Sequence, residues 1–305
     1  MKLSVPLFPY DRWGSPSEIV RGVQHAEELG FAAVALPEHI VMPVRPGSDP
    51  VSAVWYDAFV LATHVAAKTS TIRLQLHALV VPYRHPLLTA KLVASLDVMS
   101  EGRVTVVAGA GWMRREFAML DVPFDERGAR TDEYLAAIKA LWTQDHPTFA
   151  GKFVSFQDLA FEPRCVQRPH VPLWIGGSGP RPLRRAVEIG DGWAPLGGDP
   201  ADLVRSIDWL RNELDRHGRA SGDFAFAADL PILGEEKAVA RAKAPTIGDD
   251  ERSLTTPGAV TDAIARHAEA GFTQLNVLFP WRTPAEYRDR LDWLAAEVMP
   301  AIRDL

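Results

Sequence analysis

The chain has 305 residues, with 33 Lys and Arg against 39 Asp and Glu, and a formal net charge of −6. Apolar residues make up 47 % and charged residues 24 %, the balance of a folded globular protein and not of a disordered one. Mild acidity disfavours a nucleic-acid partner, and the single cysteine, Cys165, excludes an intrachain disulfide and a CxxC site.

Short apolar runs alternate with longer amphipathic stretches along the chain. Leu3–Phe8 reads as a first strand. Ser15 or Ser17 caps a helix with Pro16 in its first turn; Ile19, Val20, Val23, Ala26 and Leu29 share its apolar face, and Gly30 stops it. Strands follow at Phe31–Leu36, Ile72–Val81 and Val104–Ala108, with helices at Leu87–Met99 and Thr131–Thr143. Later strands are expected at Leu173–Ile175, Gly192–Ala194, Phe224–Asp229 and Gln274–Phe279. The matching helices are Pro182–Glu188, Ala201–His217, Ala259–Ala270 and Ala285–Glu297.

A Glu-x-Gly phrase ending in Gly30, Gly190 and Gly271 precedes three of the strands and reads as a repeated glycine cap between helix and strand. About eight βα units predict a single (β/α)₈ TIM barrel over residues 1–305, an open doubly wound sheet being the alternative. Three Pro-, Gly- or charge-rich stretches read as loop insertions: Val41–Val54, His146–His170 and Pro231–Thr256. No apolar run reaches the roughly 18 residues of a membrane span, and Met1–Trp13 lacks a signal-peptide core, so a cytoplasmic protein is expected.

In such a barrel, chemistry sits past the C-terminal ends of the strands. That rule selects Glu38 and His39, then His77 and the run Pro82–Pro86, then the turn Gly109-Ala110-Gly111-Trp112 running on to Glu116. It also selects Gly176-Gly177-Ser178-Gly179, Pro195 with Gly197 and Gly198, and Pro280-Trp281-Arg282. The two glycine turns each lie between a strand and a helix, where backbone N–H groups can meet an anion, although neither completes GxGxxG. Histidine titrates near neutrality, which suits His39 to proton delivery. His77 reads as a packed strand residue and Glu116 as a group that orients its loop. Trp55, Trp112 and Trp281 could line an apolar pocket. No histidine spacing fits a metal, and no GxSxG elbow appears.

The ordered set LGFAAVALPEH, LVVPYRHP, SEGRVTVVAGAGW with REF, WIGGSG and GDGWAP resembles the bacterial-luciferase-like superfamily of flavin and deazaflavin oxidoreductases, with GFTQLNVLFP fitting the last strand. The resemblance implies a redox ring docked at the strand ends, and it leans to the branch using coenzyme F420, an 8-hydroxy-5-deazaflavin. It gives Glu38 as a cofactor-contacting acid and His39 as proton donor or substrate activator. His77-Ala78 falls where the family bends its third strand, often through a non-proline cis peptide, to back the ring. Gly109, Ala110 and Gly111 match the turn at the ring edge, and Gly176, Gly177, Ser178 and Gly179 the turn that receives the tail phosphate. Trp112 and Arg115 stand where some deazaflavin dehydrogenases carry Glu and Asn, which disfavours a sugar-phosphate substrate. Ala110 stands where the luciferase branch has an arginine for the flavin phosphate, which favours the deazaflavin over FMN. The expected activity is hydride transfer between the deazaflavin C5 and a small organic substrate, in a barrel of a kind that often pairs as a homodimer. The alternatives are an FMN-dependent luciferase-like monooxygenase and a non-catalytic flavin- or deazaflavin-binding barrel.

Overall fold

Strands buried on both faces need apolar residues at nearly every position, and Ala33–Leu36 and Val104–Ala108 meet that demand at full burial. A computed structural model describes residues 1–42, 52–219, 221–232 and 254–305. The candidate insertions at 41–54 and 231–256 fall largely outside these described residues. Eight parallel strands form the barrel: β1 (Lys2–Pro6), β2 (Ala33–Leu36), β3 (Arg73–Val80), β4 (Val104–Gly109), then, after a small hairpin of β5 (Phe149–Ala150) and β6 (Ser155–Phe156), β7 (Leu173–Gly176), β8 (Gly192–Ala194), β9 (Ala225–Pro231) and β10 (Gln274–Leu278). Their order follows the chain, and β1 closes the ring by pairing with both β2 and β10: Ser4 stands opposite Ala33 on one side and Asn276 on the other. The open-sheet alternative is thereby excluded.

Helices surround the barrel: α1 (Pro16–Glu28), α2 (Ala58–Ala66), α3 (Pro86–Met99), α4 (Arg114–Met119), α5 (Arg127–Thr143), α6 (Pro180–Ile189), α7 (Pro200–Arg216), α8 (Pro257–Glu269) and α9 (Pro284–Trp293). Most start as the sequence dictates. The Ser15 hydroxyl accepts from Glu18 N with Pro16 in the first turn, Asp199 caps α7, and Thr256 and Thr283 cap α8 and α9. Alternation along the strands divides the interior. Outward residues such as Val106, Ala108, Leu74 and Leu76 join the main core under the helices, while Val107, Ala194 and Ala227 pack with Ala78 and Trp174 as a separate inner cluster.

Three expectations are corrected. The helix read as Ala285–Glu297 stops at Trp293 and continues as a π turn over Leu294–Val298 and a 3₁₀ turn over Met299–Ile302; Pro300 has no N–H to give to a regular last turn. Gly30 and Gly271 cap their helices at φ +85° and +100°, but Gly190 is extended at φ −79°. Its need for glycine is spatial, because a Cβ there would lie 2.8 Å from Ile175 Cγ1. The stretch His146–His170 is also not plain loop. Its hairpin turn is gathered by Glu133, whose carboxylate accepts from the backbone N–H groups of Lys152, Phe153 and Val154.

Candidate active site

Because all eight strands run in one direction, their C-terminal ends meet at one mouth. Glu38, His39, Gly109 and Gly176 therefore share that end of the barrel, each placed by the strand before it or at its end. Gly109 and Gly176 are neighbours across β4 and β7. A Cβ at Gly176 would sit 3.3 Å from the Ala108 carbonyl, and one at Gly109 would sit 3.4 Å from Ala78 Cβ. The His77–Ala78 peptide is cis, as the resemblance implies, and the β3–β4 register shifts between His77 and Leu79.

Glu38 is buried, and its Oε2 accepts from Val80 N at 2.8 Å, which ties the end of β2 to the end of β3 just past the cis peptide. Arg84 forms an ion pair with Glu38 and donates to Asp57 Oδ2 at 2.8 Å. Asp57 in turn caps α2 by accepting from Phe59 N and Val60 N. Glu38 thus acts here as the anchor of a brace that fixes two strand ends and a helix start.

His39 is held by Glu116. The carboxylate is fully buried; its Oε2 lies 2.9 Å from His39 Nδ1 and accepts from the Tyr83 hydroxyl at 2.6 Å, while its Oε1 accepts from Ile40 N at 2.6 Å and Val41 N at 3.2 Å. Burial pushes the Glu116 carboxyl up, yet the bonds from His39, Tyr83 and Ile40 outweigh it and hold it below the usual carboxylate range. An ionised carboxylate only accepts, so Nδ1 carries the proton and Nε2 is left for other partners. The loop-orienting role read for Glu116 is therefore joined to a second, fixing the tautomer of the imidazole. Trp55 and Trp112 flank this imidazole edge-on at 4.6 Å and 5.7 Å between centroids. Trp55 also stacks on Phe8 at 4.5 Å, whereas Trp112 is 68 % exposed.

A cavity of about 210 Å³ opens in the mouth, walled by Phe8, Pro37, Leu196, Leu278, Phe279 and Trp281. Trp281 belongs to a buried aromatic group with Trp13 and Tyr287, at 4.8 Å and 5.1 Å, and not to the pair around His39. His77 is both packed and at the cavity wall, together with Asp229 and Asn276, which the sequence reading missed. The signal was present: Gln75-x-His77, Gln274-x-Asn276 and Asp229 put polar residues at alternate positions of otherwise apolar strands.

The two glycine turns differ. Gly111 has φ +79° and leads to α4, a six-residue helix whose N-cap, Met113, contributes no side-chain bond; Arg127 occupies the Gly111 carbonyl. Half-buried Ala110 lies between the glycines. The turn Gly176–Gly179 opens the longer α6 directly, with Gly179 as N-cap at φ +97° and no capping side chain. Nothing lies within 4 Å of where a Gly179 Cβ would stand. Trp193 Nε1 donates to the Gly177 carbonyl at 2.9 Å and holds the turn in place. Ser178 and Gly179 line a cleft of about 640 Å³ between α6 and α7 with Arg184, Arg205, Asp199 and Asp202. The β8–α7 loop separates the two hollows, Leu196 facing the mouth cavity and Gly198 this cleft.

The family model described as luciferase-like monooxygenase matches residues 7–298. An uncharacterised protein of Mycobacterium tuberculosis is 30 % identical over 311 residues, covering 98 % of this chain and 99 % of that one. An F420-dependent glucose-6-phosphate dehydrogenase of Intrasporangium calvum is 25 % identical over 331 residues, at 95 % and 96 % coverage. An FMNH₂-dependent dimethylsulfone monooxygenase of Pseudomonas putida is 33 % identical over 138 residues, 44 % of this chain and 38 % of that one. Among solved structures, a monooxygenase from Streptomyces bottropensis superposes with a TM-score of 0.80 at 22 % identity, covering 99 % and 100 %. The coenzyme F420-dependent tetrahydromethanopterin reductase of Methanopyrus kandleri does so at 0.74 and 21 %, covering 98 % of each chain.

Proposed function

The chain belongs to the luciferase-like monooxygenase family, and on that premise we propose that it is a coenzyme F420-dependent oxidoreductase acting on a small organic substrate. The observation that carries this reading is the His39 imidazole at the mouth, held by a buried carboxylate that fixes its tautomer. The F420-dependent relative matches along nearly the whole chain, whereas the FMN-dependent one matches over less than half of it. Ala110, in place of the luciferase branch's phosphate-binding arginine, points the same way.

The residues present fit a phosphate-tailed ring. Pro180 and Pro182 leave Arg181 as the one N–H donor among the first three residues of α6; that N–H, the backbone of the Ser178–Gly179 turn and the open space at Gly179 suit a phosphate, and Arg184 stands along the same cleft, where Arg205 is ion-paired with Asp202. The cis-bent His77–Ala78 segment and Gly109 offer flat backbone at the mouth, where side chains would intrude. When bound, the deazaflavin would supply or accept a hydride at its C5. His39 then gives or takes the coupled proton at Nε2, with Glu116 holding Nδ1–H throughout. Trp55 and the apolar cavity wall exclude water from the reacting atoms.

The test is turnover of F420 with a panel of ketones, enones and imines, read by deazaflavin absorbance with an oxygen electrode in the same cell. Turnover without oxygen uptake is expected, falling at least 10²-fold in His39→Ala, within the usual range for loss of an acid–base group. Oxygen consumed in step with FMNH₂ and no F420 turnover would overturn the reading in favour of the monooxygenase alternative.

A further inference from the structure

The inside of this barrel is polar in two successive layers, and only one of them is satisfied from within. In the lower layer, Gln274 Nε2 donates to Ser4 Oγ at 3.2 Å and to Gln75 Oε1 at 3.3 Å, and Ser4 Oγ donates to the Leu275 carbonyl at 3.3 Å. Two residues further along the same strands, and so on the same inward face, come His77 on β3 and Asn276 on β10. Asn276 stands directly opposite Asp229 on β9, and its Nδ2 donates to Asp229 Oδ1 at 2.9 Å. There the internal bonding stops. Both ring nitrogens of His77 and the Oδ1 of Asn276 are buried and have no hydrogen-bond partner. His77, Asp229 and Asn276 are each at most 8 % exposed, and all three line the cavity of about 210 Å³ at the mouth.

A buried polar atom left without a partner forfeits the bonds it had in water. Three such atoms converging on one hollow mark a place where a ligand supplies the missing bonds. We propose that His77, Asp229 and Asn276 form a specificity-determining floor that receives the carbonyl or hydroxyl oxygen of a small, uncharged and otherwise apolar substrate. His39 is not among the residues that line this cavity, so the oxygen held here is not the atom that exchanges a proton with it; the inference deepens the oxidoreductase reading and rests on it only in calling the occupant a substrate.

The chemistry of the occupant follows from the walls. Phe8, Pro37, Leu278, Phe279 and Trp281 make most of the remaining wall, which also includes Arg12. At about 210 Å³ the cavity suits a small occupant. The floor itself favours an uncharged group: burial moves the His77 imidazole down and the Asp229 carboxyl up, each towards its neutral form, against their mutual attraction. A neutral imidazole keeps one donor and one acceptor, and the Asn276 Oδ1 is a further acceptor. A ketone oxygen takes the donor, and a hydroxyl can use a donor and an acceptor together. Arg12, whose guanidinium donates to the Trp281 carbonyl, lines the same cavity.

The test is equilibrium binding of cyclohexanone, cyclohexanol and methylenecyclohexane to the purified full-length chain, by calorimetry and ligand-observed NMR. Methylenecyclohexane copies the ketone's shape with a CH₂ in place of the oxygen. The ketone or the alcohol is expected to bind at least tenfold more tightly than the hydrocarbon. Asn276→Leu and His77→Phe, checked for an unchanged melting transition, should erase that preference while keeping hydrocarbon affinity within threefold. Equal affinity of the wild type for all three probes overturns the proposal, as does binding of none. This comparison needs no variant and survives any failure of the substitutions to fold. F420 titration of the same preparation keeps the two readings apart: oxygen-selective binding without F420 binding leaves the floor standing and removes the function above it.

Discussion

Glu116 takes hydrogen bonds from an imidazole, a phenol and two backbone N–H groups, so its charge is what assembles the His39 loop. Its carboxyl is held below its usual range in the folded state. The stability this contributes is therefore fully present above the unfolded value of about 4.3, and it is lost as pH falls through the lower, folded value. Replacing Glu116 with Gln removes the charge and puts a donor amide where an acceptor is needed, facing His39 Nδ1. Urea unfolding should show Glu116→Gln less stable than wild type at pH 7, with the gap narrowing as the pH drops below about 4. A gap that stays constant down to acid pH would mean that the carboxylate's charge does not hold the loop. His39 was legible as a candidate because it follows a strand. Its partner was legible only as a nearby carboxylate, since 77 residues separate them and the sequence carries no signal for that contact.

At the scale of elements, the two glycine turns look alike in sequence and differ in why they need glycine. At Gly111 a left-handed φ of +79° coincides with crowding, a Cβ being 2.7 Å from both Phe117 Cε2 and Val80 Cγ1. Gly111→Ala thus meets a backbone cost of roughly 1–2 kcal/mol together with an overpacking cost of about 1–3 kcal/mol. At Gly179 the backbone cost stands alone, because the space beside it is open. We expect chemical denaturation to find Gly111→Ala the less stable of the two, and phosphate-tailed cofactor binding to be weakened chiefly by Gly179→Ala. The reverse order in either measurement would contradict the roles assigned to the turns. Most helix starts were legible from their Ser, Thr, Asp and Pro residues. The exceptions are instructive: α2 escaped notice because its run AFVLATHVA is apolar on almost every side, leaving Asp57 as the one cue, and α4 is too short to show a period.

At the scale of the whole molecule, ring closure was a choice the sequence left open, because apolar runs read the same in an open sheet and in a barrel. Closure is decided by pairing between the two ends of the chain, Lys2–Ser4 with Gln274–Asn276. The same pairing lines up the polar positions inside the barrel, so the upper floor of His77, Asp229 and Asn276 exists only once the ring is shut. Residue-by-residue reading treated His77 as packing for that reason: its companions lie 152 and 199 residues away along the chain. Closure also brings the imidazole, the cis-bent strand and the uncapped α6 terminus to one end, the arrangement on which the functional reading depends.

That reading is tested most directly by titrating the purified protein with coenzyme F420 and, separately, with FMN, following ligand fluorescence. The account predicts saturable F420 binding at least tenfold tighter than that of FMN, and a marked loss of F420 affinity in Gly179→Ala. Tight FMN binding beside undetectable F420 binding would contradict it.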